Sequence, residues 1–136
     1  MYQHILIPTD GSAPARKAAV HGLSLAKVVG ARTTVLTVEP SFISGQIAEY
    51  EMRWSMEAAL ALKGIADEAN AAGMPCDTMR ITHNNPHEAI LAVATDKGCD
   101  IIVIAPRGQG GIVSMILGSV SAKVAAQATV PVLVYH

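Results

Sequence analysis

The chain has 136 residues, 51% of them hydrophobic and 15% charged, with a net charge of −1. That is one domain, residues 1–136, with enough apolar material for a core, and it excludes a disordered chain. The lack of any basic run excludes non-specific nucleic-acid binding, and no apolar run approaches the roughly 18 residues of a membrane span.

The first predicted strand runs from His4 to Pro8. Ser12 is placed to cap the helix that follows, with Pro14 in its first turn, where a missing N–H costs nothing. Ala15, Ala18, Ala19, Gly22, Leu25, Ala26 and Val29 recur at helical spacing and give that helix a face of small residues, and Gly30 stops it. Thr33 to Val38 is the second strand. The stretch from Glu39 to Glu51 is less regular and leads into a helix reaching about Ala72. Its predicted core stripe is Met52, Met56, Ala59, Leu60 and Ala66. Cys76 to Thr82 reads as a third, weaker strand at an edge. Asn85, Pro86 and Glu88 form a version of the capping box for a helix to about Lys97. Strand four, Ile101 to Ala105, is a short β-branched run of the kind buried on both faces. The last helix spans Gly118 to Gln127 and the last strand Val130 to Tyr135.

Strands and helices alternate, so the fold class is α/β: a doubly wound, mostly parallel sheet with helices on both faces and right-handed crossovers. In such sheets a ligand sits outside the carboxyl ends of the strands, where the winding direction reverses. The segment after strand four has the composition for an anion. Gly108, Gly110 and Gly111 let backbone N–H groups come close, and Arg107 adds a charge. Gly118, Ser119, Val120 and Ser121 open a helix whose first amides lack intrahelical partners. The loop is neither a P-loop, since no Lys follows Gly118, nor a dinucleotide fingerprint, since Val113 stands where its third glycine belongs.

The pattern resembles the universal stress protein family. Its ATP-binding members carry Gly-x-x-Gly, nine residues, then Gly-Ser or Gly-Thr, and here Gly108 is followed by nine residues and Gly118-Ser119. Ile5-Leu6-Ile7-Pro8-Thr9-Asp10 is similar to the family's opening strand and turn, and the closing helix and strand match as well. The resemblance implies a Rossmann-like five-stranded sheet of order 3-2-1-4-5 and a site for ATP, with Mg²⁺ on its phosphates. It also implies that Pro8, Thr9 and Asp10 border the adenosine and that Val38 lies against the adenine. Two departures stand out. Ala105 replaces the first glycine of the motif, so ATP binding is expected to be retained but weakened. Asn84-Asn85-Pro86 replaces a Gly-x-Pro turn, with Asn taking the left-handed conformation.

An ATP-binding regulatory protein of stress response is the reading the resemblance favours. A slow ATPase on the same site and a nucleotide-free dimer working through protein contacts stand beside it. A homodimer through the apolar edge strand Val130 to Tyr135 is expected, together with a regulatory protein partner. No Ser-His-Asp order or carboxylate pair marks a catalytic site, and no general base is evident near the loop. His83 and His87 are four apart, but Pro86 starts the helix between them, so no metal site is expected there. The start of the chain lacks the basic segment of a signal peptide, and Cys76 and Cys99 read as reduced thiols. The cytoplasm is the expected location.

Overall fold

A computed structural model of the protein describes residues 1–39, 48–107 and 118–136, with the backbone alone for 48–54. Strands and helices alternate as β1 (His4–Pro8), α1 (Ala13–Val29), β2 (Arg32–Glu39), α2 (Ala48–Ala71), β3 (Cys76–Thr82), α3 (Pro86–Asp96), β4 (Ile101–Ile104), α4 (Ser119–Gln127) and β5 (Val132–Val134). All four strand pairings are parallel, and the sheet order is β3-β2-β1-β4-β5. The central strand β1 pairs on one side with β2, Leu6 opposite Thr34, and on the other with β4, Leu6 opposite Ile102.

Alternation along the strands divides the core into two layers. Ile5, Ile7, Val35 and Val103 face α1 and α2, where Leu23, Leu62 and Ile65 meet them. Leu6, Leu36, Ile102 and Ile104 face the other way, onto Ile90, Val93 and Val124 of α3 and α4. Each such aliphatic side chain, fully buried, stabilises the fold by about 1.5–3 kcal/mol. The small-residue face of α1 lets it lie close to the sheet. A Cβ on Gly22 would come within 2.8 Å of Ile7 Cδ1. Ser12 caps α1 by accepting from the Ala15 N–H at 3.3 Å, and Gly30 ends it in the left-handed region at φ 74°.

Three local expectations are overturned. In α2 the buried face differs from the predicted stripe: Met56 and Leu60 are 60% and 67% exposed, Ala59 is exposed too and Ala66 is half-buried, whereas Ala58, Leu62, Ile65 and Ala69 are buried; the Met52 side chain lies outside the described residues. Leu60 and Leu62 are two residues apart, about 200° around a helix, so choosing one stripe forfeits the other. The capping box of α3 does not form. Asn85 is its N-cap but makes no side-chain bond to the helix backbone, and its amide reaches Glu88 Oε2 only at 3.4 Å. Nor is Asn84 left-handed, since no described residue other than glycine has positive φ. The turn closes through His83, whose Nδ1 accepts from the Asn85 N–H at 2.8 Å.

The N-terminal end of the sheet is held by a polar cluster around the buried His4. Asp100 accepts from the Gln3 and His4 N–H groups at 2.9 and 3.1 Å, and its own N–H donates to the His4 carbonyl at 3.0 Å. His4 Nδ1 lies 3.1 Å from the Lys97 carbonyl, which can only accept, so Nδ1 carries the proton and Nε2 accepts from the Thr34 hydroxyl at 2.7 Å. Burial, then the Arg32 charge, hold the His4 pKa below its ordinary value. Burial alone would raise the Asp100 pKa, but the amides it accepts from bring it below the ordinary carboxylate value. Cys99 beside it is buried and free, and burial pushes its thiol up to about 11. Cys76 is likewise free.

Candidate functional site

Parallel strands all end on one side of the sheet, and their ends surround a crevice of about 560 Å³. Pro8, Thr9 and Asp10 enter from β1, Val38 from β2, and Ala105 and Arg107 from beyond β4. Gly118, Ser119, Val120 and Ser121 enter from the start of α4. Every predicted site residue within the described regions therefore lines one cavity. Gly108, Gly110 and Gly111 lie outside the described residues.

The turn after β1 is built by its own short side chains. Thr9 Oγ1 accepts from the Gly11 N–H at 3.2 Å, Asp10 Oδ1 accepts from the Ser12 N–H at 2.9 Å, and the Thr9 N–H donates to the Leu36 carbonyl at 2.8 Å. This Asx-type turn fixes the entry into α1 and holds Asp10 at the crevice.

The start of α4 is fixed against the end of β4 at two points. The Gly118 N–H donates to the Pro106 carbonyl at 2.7 Å. Ser121 Oγ donates to the Ala105 carbonyl at 2.5 Å. The Ser121 hydroxyl is thus engaged in tying helix to strand, and what this residue offers a ligand is its backbone N–H. Gly118, not Ser119, is the N-cap, with extended φ −66° and ψ 163°, and it makes no side-chain capping bond. The Ser119, Val120 and Ser121 amides form the first turn of α4, where a helix has no internal acceptors and its dipole is positive. The constraint at Gly118 is space rather than φ: a Cβ there would come 3.1 Å from Arg107 Cγ and 3.2 Å from the Pro106 carbonyl oxygen, so these neighbours would have to give way.

Ala105 is not left-handed either. Its methyl packs with Ala15 and Ala18 of α1 in a small buried cluster covered by Tyr135, whose ring stacks on His21 at 4.2 Å between centroids. A glycine is not needed for the backbone path here. The methyl packs toward Ala15 and Ala18 of α1 at a residue that also lines the crevice.

Several lining residues escaped the sequence reading. Leu36, Pro86, Ile90 and Ile104 give the crevice an apolar wall, and His83 and Asn84 border it at the end of β3. The signal for His83 was available: it follows a parallel strand on the same side as Pro8, Val38 and Ala105. Among the described residues, no three His, Cys, Asp or Glu side chains cluster to hold a metal ion, and no helix is long and apolar enough to cross a membrane.

The crevice thus joins an apolar slot over β2 and α3 to a helix start rich in unpaired amides. That pairing suits a ligand with an aromatic, uncharged end and an anionic end. The chain is similar to known proteins along its whole length. The family model described as the universal stress protein family matches residues 1–136. A universal stress protein of Thermus aquaticus is 33% identical over 136 residues, covering 98% of each chain. The solved structure of hypothetical protein MJ0577, from Methanocaldococcus jannaschii, is 29% identical with a TM-score of 0.83, covering 98% of this chain and 95% of that one. A universal stress protein solved with cAMP is 23% identical with a TM-score of 0.78, covering 99% of this chain and 97% of that one.

Proposed function

The chain belongs to the universal stress protein family, and we propose that its crevice binds an adenine nucleotide, ATP among them, as a regulatory signal. The observation that carries this reading is the joint lining of one cavity by the β1 turn, Val38 and the first turn of α4. Phosphates would meet the Ser119, Val120 and Ser121 amides, with Arg107 adding charge. The base would enter the apolar slot of Leu36, Val38 and Ile90. Solved universal stress proteins that hold cAMP, AMP and dAMP support the class of ligand. Asp10 is the one carboxylate lining the described part of the crevice, so Mg²⁺ would be carried chiefly by the phosphates it accompanies.

The proposed role is cytoplasmic and works through protein contacts. The edge strand β5 supports a homodimer: its described ladder pairs it with β4 on one side, and Val132, Leu133 and Val134 are half-buried in the single chain. An apolar edge of this kind favours pairing with a second copy. Titration calorimetry with ATP and AMP, with and without magnesium, tests the nucleotide reading. Saturable binding at micromolar to submillimolar concentration is expected. No heat and no thermal shift at millimolar nucleotide would sink it.

A further inference from the structure

The start of α4 is fastened to the neighbouring strand end at two points. The Gly118 N–H donates to the Pro106 carbonyl at 2.7 Å, and Ser121 Oγ donates to the Ala105 carbonyl at 2.5 Å. The two carbonyls are consecutive and lie just beyond β4. That strand end is itself held. The Ile104 carbonyl accepts from the Tyr135 N–H at 2.9 Å, and the Ala105 methyl is buried with Ala15 and Ala18. Ser121 is only 4% exposed, so water does not compete for its hydroxyl.

The amides that open onto the crevice lie between these two points. The first bond inside α4 runs from the Ala122 N–H to the Gly118 carbonyl at 2.9 Å, so the Ser119, Val120 and Ser121 amides have no acceptor within the helix. All three residues line the crevice. Held at Gly118 alone, the helix would be free to pivot there. The bond at Ser121, about 4.5 Å further along the axis, stops the pivot and sets the direction of all three N–H groups. A hydrogen bond weakens steeply once its donor is misaligned, so that direction governs how well the amides hold an anion. Neither bond involves the apolar slot, where Leu36 and Val38 come from β2 and Ile90 from α3. The two halves of the crevice are aligned by separate devices.

We propose that Ser121 is a positioning residue for the anionic half of the ligand: its hydroxyl, bonded to the Ala105 carbonyl, aims the first-turn amides of α4 while making no contact with the phosphate itself. This rests on the nucleotide reading above. Loss of the hydroxyl should lower affinity for the phosphate and spare affinity for the base and sugar.

The test titrates AMP and adenosine, which differ only in the phosphate, into wild type, Ser121→Ala and Ser121→Cys. Ligand-observed NMR reads adenosine if its heat is too small for calorimetry. Wild type should prefer AMP. Ser121→Ala should weaken AMP by about tenfold, the scale of impaired bonds to a charged group, and leave adenosine unchanged. Ser121→Cys keeps the shape of the side chain with a weaker donor. It should show the same selective loss to a smaller degree, which keeps the test open if the Ala variant does not fold. A merely structural role would weaken both ligands alike and leave their ratio standing. That result, or AMP affinity unchanged in the variants, overturns the proposal while leaving the nucleotide reading intact. Equal binding of AMP and adenosine by wild type takes the phosphate away from α4 and overturns the proposal as well. Binding of neither to wild type overturns both readings, and is seen before any variant is made.

Discussion

The two ends of the sheet are built on opposite plans. At the N-terminal end, polar groups are answered within the chain: Asp100 takes the amides of Gln3 and His4, and both nitrogens of the buried His4 have partners. At the C-terminal end the chain leaves a cavity lined by the first turn of α4, Arg107 and an apolar slot. Each end has a histidine that lines up its neighbours through a ring nitrogen. His4 has both nitrogens committed to the protein, whereas His83 has one bonded to the α3 turn and lines the crevice. Saturating every donor makes a region stable and inert; leaving some unanswered beside a cavity makes it receptive, at a cost in stability carried by the rest of the fold. The same sheet does both because its strands are parallel and put all their carboxyl ends on one side.

Substitutions at the two ends should therefore separate affinity from stability. The largest effect belongs to Gly118→Val. The added atoms meet Arg107 and the Pro106 carbonyl and displace the start of α4, so AMP affinity should fall by about a hundredfold or more, as for the loss of several amide contacts. Calorimetry reads the loss, and near-wild-type circular dichroism shows that the fold persists; unchanged affinity would remove α4 from the site. Next is His4→Ala, which empties a buried site and strips the Thr34 hydroxyl of its acceptor. It should cost about 2 kcal/mol in urea unfolding while leaving AMP affinity unchanged. A parallel loss of affinity would break the division between the ends.

His4 also gives the N-terminal end its own pH signature. Its folded pKa is depressed, so the unfolded chain binds more protons and stability rises with pH. The contribution is full above the unfolded value of about 6.5 and is lost as pH falls from there through the folded pKa. Wild-type melting temperature should drop across that window, and His4→Ala should flatten it. A second decline, from Asp100, lies lower, beginning below about pH 3.9. The smallest effect is expected for Ala105→Gly. Its methyl lies among Ala15 and Ala18, so its removal should cost about 1 kcal/mol of stability and shift AMP affinity by less than about threefold. Tightening by tenfold would show that the methyl does press on the ligand.

Much of this was legible in the chain. Short β-branched apolar runs such as Ile101 to Ile104, closed by proline, favour strands covered on both faces, and glycine and proline mark where elements stop. The turn at Pro8 to Asp10 and the helix start at Gly118 were legible because their chemistry is local. Three things were not. The buried face of α2 depends on which of two apolar stripes meets the sheet, and a helical pattern that offers both does not choose. The engagement of Ser121 with the Ala105 carbonyl joins residues 16 apart and needs the helix docked before it exists. His83 looked like a failed metal ligand because its neighbours in sequence were weighed, and its neighbours across the sheet were not visible. Local chemistry reads directly from sequence; contacts between strand ends emerge only from the sheet order.

That order also sets the timing of folding. The N-terminal strand β1 is the middle strand, and it is joined to its second neighbour by contacts such as Gln3 to Asp100, 97 residues apart. A chain leaving the ribosome can assemble β1, β2 and β3 early. Until β4 is synthesised, one side of the apolar strand HILIP has no partner. An open edge of that composition is a site for pairing with other chains. The crevice shares this delay, because its walls come from both sides of the β1–β4 junction. Nascent chains halted before residue 101 should therefore be captured by chaperones and bind no nucleotide, and competence for both solubility and ligand should arrive together, late in synthesis.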